Sequence, residues 1–513
     1  MKNIVIVGGG TAGWLTALYA KKVYKNENII LIESEEYGIV GAGEGTTPNF
    51  MDFLVFLDIS VYDLMQKCNG TIKNGIKFTN WSNKGGSYFH PFYSTSSASN
   101  DYNFNLKSNY LENYTEFSHY SAFFKKHKLK DYSFLEKTSN NFKIPFILNN
   151  ETQELTKFAE VAMHFNATLL ANYLKNIGQS RGIILKEGIV DKITNDSKGY
   201  ISKLKVNKEE IDCDFVFDCT GFRRIIIGNH YKVNWKSHSK HLPAKKAMPF
   251  FLKMDKEIPP YTEAIAMDYG WMWKIPLQDR YGCGYVFDSN YISDEEAIKE
   301  IEKFLGFKPQ YPREKPFDFF AGCYEKIWTK NCLAVGLASG FIEPLEATSI
   351  MQTIFVLKRF MSNAQNLEIK NDFVKEKFNK IFLEETNEIV NFLYLHYVTN
   401  KKNTVFWKNF IKNNLMPEEV NYILNICKEK VLINNFDLPK NAIFSSLSHH
   451  YILIGNKIIS NKDIGKNAKF IIDEEKIKNY EYILKEQEKI IPQLLTHNNF
   501  IDIIKKHEEV KNF

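Results

Sequence analysis

The sequence predicts an α/β fold that ends in a mostly helical C-terminal region, and two observations support this prediction. Near the N-terminus, a β-branched run at residues 4–7 ends in a glycine-rich turn at residues 8–13, and an Ala/Leu-containing helical stretch follows. Beyond Ser349, the chain consists of long amphipathic stretches at residues 350–361 and 373–397. A strand, a glycine turn and a helix in this order are typical of a Rossmann-like nucleotide-binding body.

Further elements follow along the chain. Residues 29–32 predict a second buried strand, which ends in Glu33 and closes a βαβ unit. We expect a helix at residues 163–178, strands within residues 183–206, and strands at residues 214–218 and 332–335. Residues 84–150 are rich in Ser, Asn, Tyr and Phe with weak periodicity, which predicts an irregular insertion.

These patterns predict that the chain is divided into two parts. Residues 1–348 would form a body with mixed sheets, in which the insertion at residues 84–150 contributes to a substrate site. Residues 349–513 would form a helical substrate-binding region packed on that body, because no Pro- or Ser-rich linker separates the two.

Composition indicates a globular protein and argues against several functions. Of the 513 residues, 44% are hydrophobic, which suffices for a sizeable core. The net charge of +6 arises from 66 basic and 60 acidic residues scattered along the chain, so we expect no nucleic-acid-binding face. Seven cysteines form no Cys-x-x-Cys pair, which favours the reducing cytoplasm, and we expect no metal site. Since no stretch approaches the roughly 18 apolar residues of a membrane span, we expect no membrane anchor.

The glycine-rich turn predicts a dinucleotide site. Gly8, Gly10 and Gly13 supply a GxGxxG pattern around Thr11 and Ala12, and Glu33 lies 20 residues past the last glycine. Such glycines allow a tight turn and close approach of the backbone to a pyrophosphate, and the acidic residue suits a ribose hydroxyl. A merely structural glycine turn is the alternative.

Two later strand-to-glycine turns, at residues 218–221 and 334–340, favour an FAD-binding fold of the aromatic hydroxylase or monooxygenase type over a simple NAD fold. A long dinucleotide needs several points of backbone approach. Gly336 and Leu337 stand where many flavoproteins place an acidic residue, so we expect flavin contacts there to depend on the backbone.

Three segments resemble the flavin-dependent halogenases of the tryptophan halogenase type. Residues 271–276, WMWKIP, match the family's WxWxIP signature. Residues 41–48, GAGEGTTP, resemble its GxGExTxP segment, and residues 341–350, FIEPLEATSI, resemble FxEPLESTGI. The tail at residues 492–501 also resembles the family's ending, so the likeness extends over nearly the whole chain.

The resemblance implies a reaction and its site residues. Reduced FAD, delivered by a separate flavin reductase, would react with O2 and a halide ion to give hypohalous acid, which reaches Lys77 and Glu346. Lys77 would hydrogen-bond the acid or become a haloamine, and Glu346 would orient it and take the ring proton. Gly45 and Thr46 would contact FAD, whereas Thr348 and Ser349 would hold the halide at a helix N-terminus. The residues that shield the flavin from substrate would be Trp271, Trp273, Ile275 and Pro276.

His90 and Phe92 resemble a His-x-Phe pair whose rings sandwich a small aromatic substrate in the family. The segment before this pair is shorter than in typical tryptophan halogenases, and His449 stands where the family carries a substrate-packing Trp. A smaller polar ring stacks less well, so we expect free tryptophan not to be preferred. Trp407 or Tyr451 could fill this role instead.

Other interpretations stay open for each feature. Lys77 could be a solvated strand charge, Glu346 a helix-end charge, and the Trp pair core aromatics. For the whole chain, the alternatives are an FAD-dependent aromatic monooxygenase that reduces its own flavin, or a non-catalytic FAD-binding protein. A homo-oligomer is compatible with the sequence, which does not reveal the substrate or the preferred halide.

Overall fold

The computed structural model describes residues 1–506 except 35, 37–42, 84, 93–126, 150, 153, 365–366, 368–370, 402, 433–435, 440–441 and 466–473. Most of the predicted insertion, as well as Gly41 and Ala42 of the resembling segment, lies outside the described residues. The chain divides into two compact units of three segments each. The first unit comprises Met1–Asn69, Phe165–Ser239 and Phe319–Asn387, and the second comprises Gly70–His164, Lys240–Asp318 and Glu388–Phe513.

The elements are numbered in chain order. The strands are β1 (Asn3–Val7), β2 (Asn28–Glu33), β3 (Glu44–Gly45), β4 (Thr71–Lys73), β5 (Gly75–Thr79), β6 (Ser87–Pro91), β7 (Phe146–Leu148), β8 (Leu155–Lys157), β9 (Ala162–Phe165), β10 (Ile184–Glu187), β11 (Val190–Asn195), β12 (Ile201–Val206), β13 (Glu209–Asp212), β14 (Phe215–Asp218), β15 (Trp235–Ser237), β16 (Lys246–Lys253), β17 (Thr262–Ala266), β18 (Gly270–Pro276), β19 (Arg280–Phe287), β20 (Phe317–Asp318), β21 (Gly322–Tyr324), β22 (Trp328–Thr329), β23 (Cys332–Ala334) and β24 (Gly340–Phe341).

The α-helices are α1 (Thr11–Val23), α2 (Asn49–Phe56), α3 (Val61–Lys67), α4 (Leu129–Tyr132), α5 (Phe134–Asn140), α6 (Ala167–Ser180), α7 (Asp294–Leu305), α8 (Thr348–Asn363), α9 (Asp372–Tyr397), α10 (Val405–Asn413), α11 (Glu418–Ile426), α12 (Ser446–Gly455), α13 (Asn461–Gly465), α14 (Glu474–Ile490) and α15 (His497–Lys506). Among the described helices, none is long and apolar enough to cross a membrane.

The first unit is built on a six-stranded sheet in the order β10-β2-β1-β14-β23-β22. Its first five strands are parallel and only β22 runs antiparallel. The central strand β1 is apolar and buried, as expected for a parallel strand covered on both faces. Helix α1 packs beside α6, where Gly178 makes room: a Cβ there would lie 2.6 Å from the ring of Trp14. This confirms the predicted βαβ unit and the α/β fold class.

The second unit contains a seven-stranded, mostly antiparallel sheet in the order β20-β16-β19-β18-β17-β5-β6, in which β5 and β17 are the parallel pair. Helix α7 covers part of one face, where apolar side chains of β16 to β19 form a core with Ala297 and Ile301. Both sheets contain parallel and antiparallel strand pairs.

Two local expectations are corrected. The helix expected from residue 163 begins later, because residues 162–165 form strand β9; Asn166 then caps α6 by accepting hydrogen bonds from the N–H groups of Thr168 and Leu169. Within the predicted irregular insertion, the described residues include strand β6, helices α4 and α5, and strand β7.

The compact units do not follow the predicted boundary after residue 348. Residues 349–387 belong to the first unit. The reason is packing, because Phe360 of α8 lies against Phe215 and Phe217 of β14, with ring centroids 4.9 and 5.4 Å apart. The amphipathic pattern predicted the helix correctly, but it does not reveal which sheet the apolar face covers.

Candidate active site

The glycine turn of the first unit has the geometry that a dinucleotide site needs. Gly8 has φ of +118°, and a Cβ there would lie 2.2 Å from the carbonyl oxygen of Cys219. A Cβ on Gly13 would lie 1.8 Å from the Gly8 carbonyl oxygen. Around Gly10, by contrast, a Cβ would meet no atom of the described residues within 4 Å. The turn is therefore tightly packed at two glycines and open at the third.

Donors converge at this open position. Helix α1 begins after Gly10 and has no side-chain cap, so its first N–H groups lack partners within the helix. The hydroxyl oxygen of Thr11 is buried and has no hydrogen-bond partner among the described residues. Buried polar groups rarely stay unsatisfied. An anionic group at this helix terminus would accept hydrogen bonds from the first N–H groups of α1 and from the Thr11 hydroxyl. The residues present therefore fit the pyrophosphate of FAD.

Glu33 lies beside the turn, as predicted. A Cβ on Gly9 would lie 2.1 Å from Glu33 Oε2. The indole Nε1 of Trp14 donates to the same oxygen at 3.3 Å, and Lys175 of α6 forms an ion pair with the other oxygen. The contact with Lys175 could not be predicted from the sequence, because 142 residues separate the two partners and no local pattern links them.

The other predicted cofactor residues of the first unit belong to neighbouring segments. Gly336 has φ of +66°, and a Cβ there would lie 2.6 Å from Ala12 Cβ, so Gly336 and Leu337 follow β23 next to the glycine turn. Gly45 ends the short strand β3, and Thr46 is fully buried. Burial raises the pKa of the neighbouring Glu44 to about 7.

The predicted catalytic carboxylate, Glu346, lies directly before a helix. It is 3% exposed and ends a 3-10 turn that starts at Pro344. Ala347 follows in the left-handed region with φ of +55°, and α8 begins at Thr348 without a side-chain cap. The N–H groups of Thr348 and Ser349 therefore lie at an uncapped helix N-terminus, which suits a small anion such as halide.

In the second unit, the two tryptophans of the predicted signature lie on one face of β18. Trp271 is buried, and the ring centroids of Trp271 and Trp273 are 6.3 Å apart. Gly284 on β19 makes room for the second ring, since a Cβ there would lie 2.1 Å from Trp273. Ile275 shares this face by strand alternation, and the Pro276 carbonyl accepts a hydrogen bond from Thr71 Oγ1.

Lys77 lies in the middle of β5. Its register partners are Phe89 on β6 and Glu263 on β17. The Nζ atom lies 5.5 Å from the ring centroid of Tyr261. His90 pairs with Ile76 instead, so Lys77 and His90 point to opposite faces of the sheet. The structure thus places both residues on one hairpin but does not bring their side chains together on one face.

His90 belongs to an aromatic cluster on its face of the sheet. Its ring centroid lies 5.6 Å from that of Phe392, which stacks on Phe444 at 3.8 Å and meets His449 at 5.0 Å. Phe392 and Phe444 were not predicted as site residues; the position of Phe444 just before the Ser445 cap of α12 was the available signal.

Phe92, the second ring of the predicted sandwich, has a different neighbour. The fully buried Lys73 places its Nζ 5.1 Å from the Phe92 ring centroid. No sequence pattern predicted a cation at this distance from the ring.

His449 is one of the three candidates for the substrate-packing position, and its ring meets Phe392 of the cluster around His90. Trp407 donates its Nε1 to the Met267 carbonyl and stacks on Tyr397, and Tyr451 donates to the Leu129 carbonyl. The Nδ1 atom of His449 donates to the Ser445 carbonyl. Burial lowers the pKa of His449 to about 4, so its ring is neutral at physiological pH.

This lowered pKa predicts a pH dependence of stability. Below about pH 6.5 the unfolded chain protonates His449, whereas the folded chain resists until about pH 4, so acidification in this window favours unfolding. Between about pH 7.5 and pH 5, the free energy of unfolding should fall by about 2 kcal/mol more in the wild type than in His449→Asn. Urea unfolding of both proteins at the two pH values measures this difference, and parallel pH dependences would contradict it.

Comparisons with known proteins agree with this geometry. The sequence profile of the tryptophan halogenase family matches residues 3–467. The tryptophan 6-halogenase SttH of Streptomyces toxytricini is 32% identical over 437 residues, which cover 81% of this chain and 82% of SttH. The tryptophan 7-halogenase RebH of Lentzea aerocolonigenes is 30% identical, with 79% and 78% covered.

Solved structures also show similarity to flavin-dependent halogenases. The crystal structure of SttH superposes with a TM-score of 0.85 at 28% identity and covers 98% of this chain and 100% of its own. A flavin-dependent halogenase from Xanthomonas campestris superposes with a TM-score of 0.83 at 27% identity and covers 98% of each chain. The chain therefore belongs to the tryptophan halogenase family and is a flavin-dependent halogenating enzyme.

Proposed function

We propose that the chain uses reduced FAD, O2 and halide to form hypohalous acid and halogenates an electron-rich aromatic compound of the indole, phenol or pyrrole class. The observation that carries this proposal is the buried Glu346 two residues before the uncapped N-terminus of α8. Such a terminus attracts a halide, and the adjacent carboxylate can accept a proton from the halogenated ring.

Different residues of the chain would bind the cofactor and transfer the halogen. The N–H groups at the start of α1, with Thr11, would hold the pyrophosphate, and Glu33 would hold a ribose hydroxyl. When bound, reduced FAD would activate O2, which supplies the oxidising equivalents that convert halide to hypohalous acid, with oxidised FAD and water as the other products. Lys77 would then donate a hydrogen bond to the acid, and Glu346 would take the proton from the aromatic carbon.

The buried surroundings of Glu346 support its role as the base. The side chain is 3% exposed, and its neighbour Thr348 is 4% exposed, so bulk water has little access to the carboxylate.

A separate flavin reductase would supply the reduced cofactor. The rival function, an aromatic monooxygenase, reduces its own flavin with a nicotinamide. We expect the purified chain with FAD and NADPH to consume no NADPH above the uncatalysed rate, even when an aromatic compound is present. NADPH consumption that depends on the chain, together with a hydroxylated product, would favour the monooxygenase instead.

FAD binding should depend on the open position in the glycine turn. Gly10→Val adds a side chain at a position where no described residue lies within 4 Å of the new Cβ, so the fold should keep its stability, whereas the phosphate space is filled. We expect at least about tenfold weaker FAD binding, since a close backbone contact to phosphate is lost. Fluorescence titration and thermal unfolding measure the two quantities. The contrasting variant is Gly306→Ala at the end of α7, where φ is +76°; it should lower thermal stability and leave FAD binding unchanged.

Free tryptophan should not be the preferred substrate. His449 and the phenylalanine pair Phe392 and Phe444 line the His90 cluster, and the imidazole offers less stacking area than an indole. In a competition with equal concentrations of tryptophan, simple indoles and phenols, we expect most halogenated product from a compound other than tryptophan. Clear selection of tryptophan at one ring carbon would contradict this expectation.

A further inference from the structure

The two ring nitrogens of His449, on helix α12 of the second unit, have different surroundings. Nδ1 lies 2.9 Å from the carbonyl oxygen of Ser445, four residues earlier in the chain. Because a carbonyl oxygen only accepts hydrogen bonds, Nδ1 carries the proton and donates it. Burial lowers the pKa of His449 to about 4, so the ring is neutral and Nε2 keeps its lone pair. Nε2 is therefore a hydrogen-bond acceptor, and none of the described residues donates to it.

Two other buried histidines of the same unit use both ring nitrogens. His164 contacts one threonine hydroxyl through Nδ1 at 2.9 Å and another through Nε2 at 2.8 Å. His497 accepts from a backbone N–H at 2.9 Å through Nε2, and its Nδ1 donates to a backbone carbonyl at 3.1 Å. Buried polar atoms rarely stay unsatisfied. His449 is only 4% exposed, so its Nε2 has the character of an acceptor that a bound molecule would fill.

The ring of His449 lies beside the aromatic cluster that contains His90. Its centroid is 5.0 Å from that of Phe392 in edge-on geometry, and the centroid of His90 is 5.6 Å from the same phenylalanine ring. His90 and His396 also act electrostatically on His449. In the proposed function His90 contacts the aromatic substrate. A polar group on that substrate would therefore lie within reach of His449.

The backbone on which His449 stands is held in place. Ser445 caps the N-terminus of α12 with its side chain. The N–H of Phe444, directly before this cap, donates to Glu388 Oε1 at 3.1 Å. The ring of Phe444 stacks on Phe392 with centroids 3.8 Å apart. The acceptor is thus preorganised, and a ligand that binds to it does not have to order this segment.

A neutral imidazole nitrogen selects a ligand by the proton that the ligand can donate. A phenol offers a neutral O–H group on a single ring, and a hydroxyl forms short hydrogen bonds. An indole N–H is also a donor, but the two-ring system gains most from a large aromatic surface, which an imidazole does not provide. The properties of His449 therefore favour a phenol.

We propose that His449 is a specificity-determining residue that accepts a hydrogen bond through Nε2 from the hydroxyl group of a phenolic substrate. This inference rests on the proposed function and narrows its substrate class to phenols. The hydrogen bond holds the phenol ring beside His90 in one orientation. The methyl ether of the same phenol has no proton to donate, so it leaves Nε2 unpaired and binds more weakly.

The test measures the binding of phenol and of anisole, its methyl ether, to the FAD-loaded protein by NMR titration. We expect the wild type to bind phenol about tenfold more tightly than anisole, because the ether leaves a buried acceptor unpaired. His449→Phe keeps a ring but lacks the acceptor, so it should bind phenol about tenfold more weakly and anisole unchanged. His449→Gln, whose amide oxygen can accept, should recover most of the phenol binding. Thermal unfolding checks each variant, and His449→Leu is a second variant without an acceptor if the larger ring of phenylalanine lowers stability.

His230→Phe is the control, because it removes a histidine from the first unit and should bind both compounds as the wild type does. An equal preference for phenol over anisole in the wild type and in His449→Phe would overturn the inference. A preference that is lost for indole over N-methylindole but kept for phenol would also overturn it, because the acceptor would then serve an N–H group. Halogenation of the same compounds is measured separately with a flavin reductase, O2 and bromide. If phenol binds as expected but no compound is halogenated, the proposed function fails and the binding role of His449 stands.

Discussion

Lys77→Ala should abolish halogenation of the aromatic substrate while FAD binding and oxidation of reduced FAD continue nearly unchanged. Lys77 belongs to β5 in the second unit, whereas the glycine turn and α1 belong to the first. The lysine acts after the oxidant has formed, so its removal should affect only the transfer step. We expect less than about a tenth of wild-type product formation, because only residual activity remains when a group central to transfer is lost.

The measurements are product formation by liquid chromatography and oxidation of reduced FAD by absorbance. Lys253→Ala is the matched control, because it removes an exposed lysine from the same sheet. Retention of more than about a tenth of the activity in Lys77→Ala would indicate that Lys77 is only a solvated charge on the strand. A parallel loss of flavin oxidation would show that the lysine acts earlier than proposed.

Glu346→Gln should lower kcat for halogenation by roughly 100-fold, which is the usual scale for loss of a general base. The amide keeps the shape of the side chain, and the residue is nearly fully buried, so packing at the turn before α8 should be preserved. The proton of the halogenated ring would then have to leave without a positioned acceptor. Single-turnover measurements with added hypohalous acid would isolate this step from formation of the oxidant.

Glu325→Gln, an exposed glutamate in the same unit, serves as the control for the loss of a charge. An unchanged kcat in Glu346→Gln would indicate that Glu346 is not the base. Its carboxylate would then act only electrostatically, near a helix N-terminus. A fall in thermal stability without a change in kcat would lead to the same conclusion.

Local sequence signals predicted the elements that depend on backbone geometry. The glycine turn, strands β1 and β2, and the start of α8 all follow from steric or periodic requirements that are visible within a few residues. The tightly packed Gly8 and Gly13 show why the pattern is specific, since a Cβ at either position would collide with backbone. The motif residues of β18 likewise fall on one strand face, as their spacing of two requires.

Features that depend on long-range packing could not be predicted. The division into units follows the docking of Phe360 against β14, which amphipathicity does not specify. Lys175 reaches Glu33 from a distant helix, and Phe444 reaches Phe392 through tertiary contact. The opposite orientation of Lys77 and His90 depends on the register of the β5–β6 hairpin, which is set across the turn and cannot be read from either motif alone.

The most direct test of the central claim is the mass of the product. The protein is incubated with FAD, a flavin reductase, NADH, O2, bromide and a panel of indoles, phenols and pyrroles, and products are analysed by high-resolution mass spectrometry. Halogenation predicts that one hydrogen is replaced by bromine, with the paired isotope peaks of that element, and that product requires both reductase and bromide. A product that gains one oxygen atom and forms equally well without bromide would contradict the account.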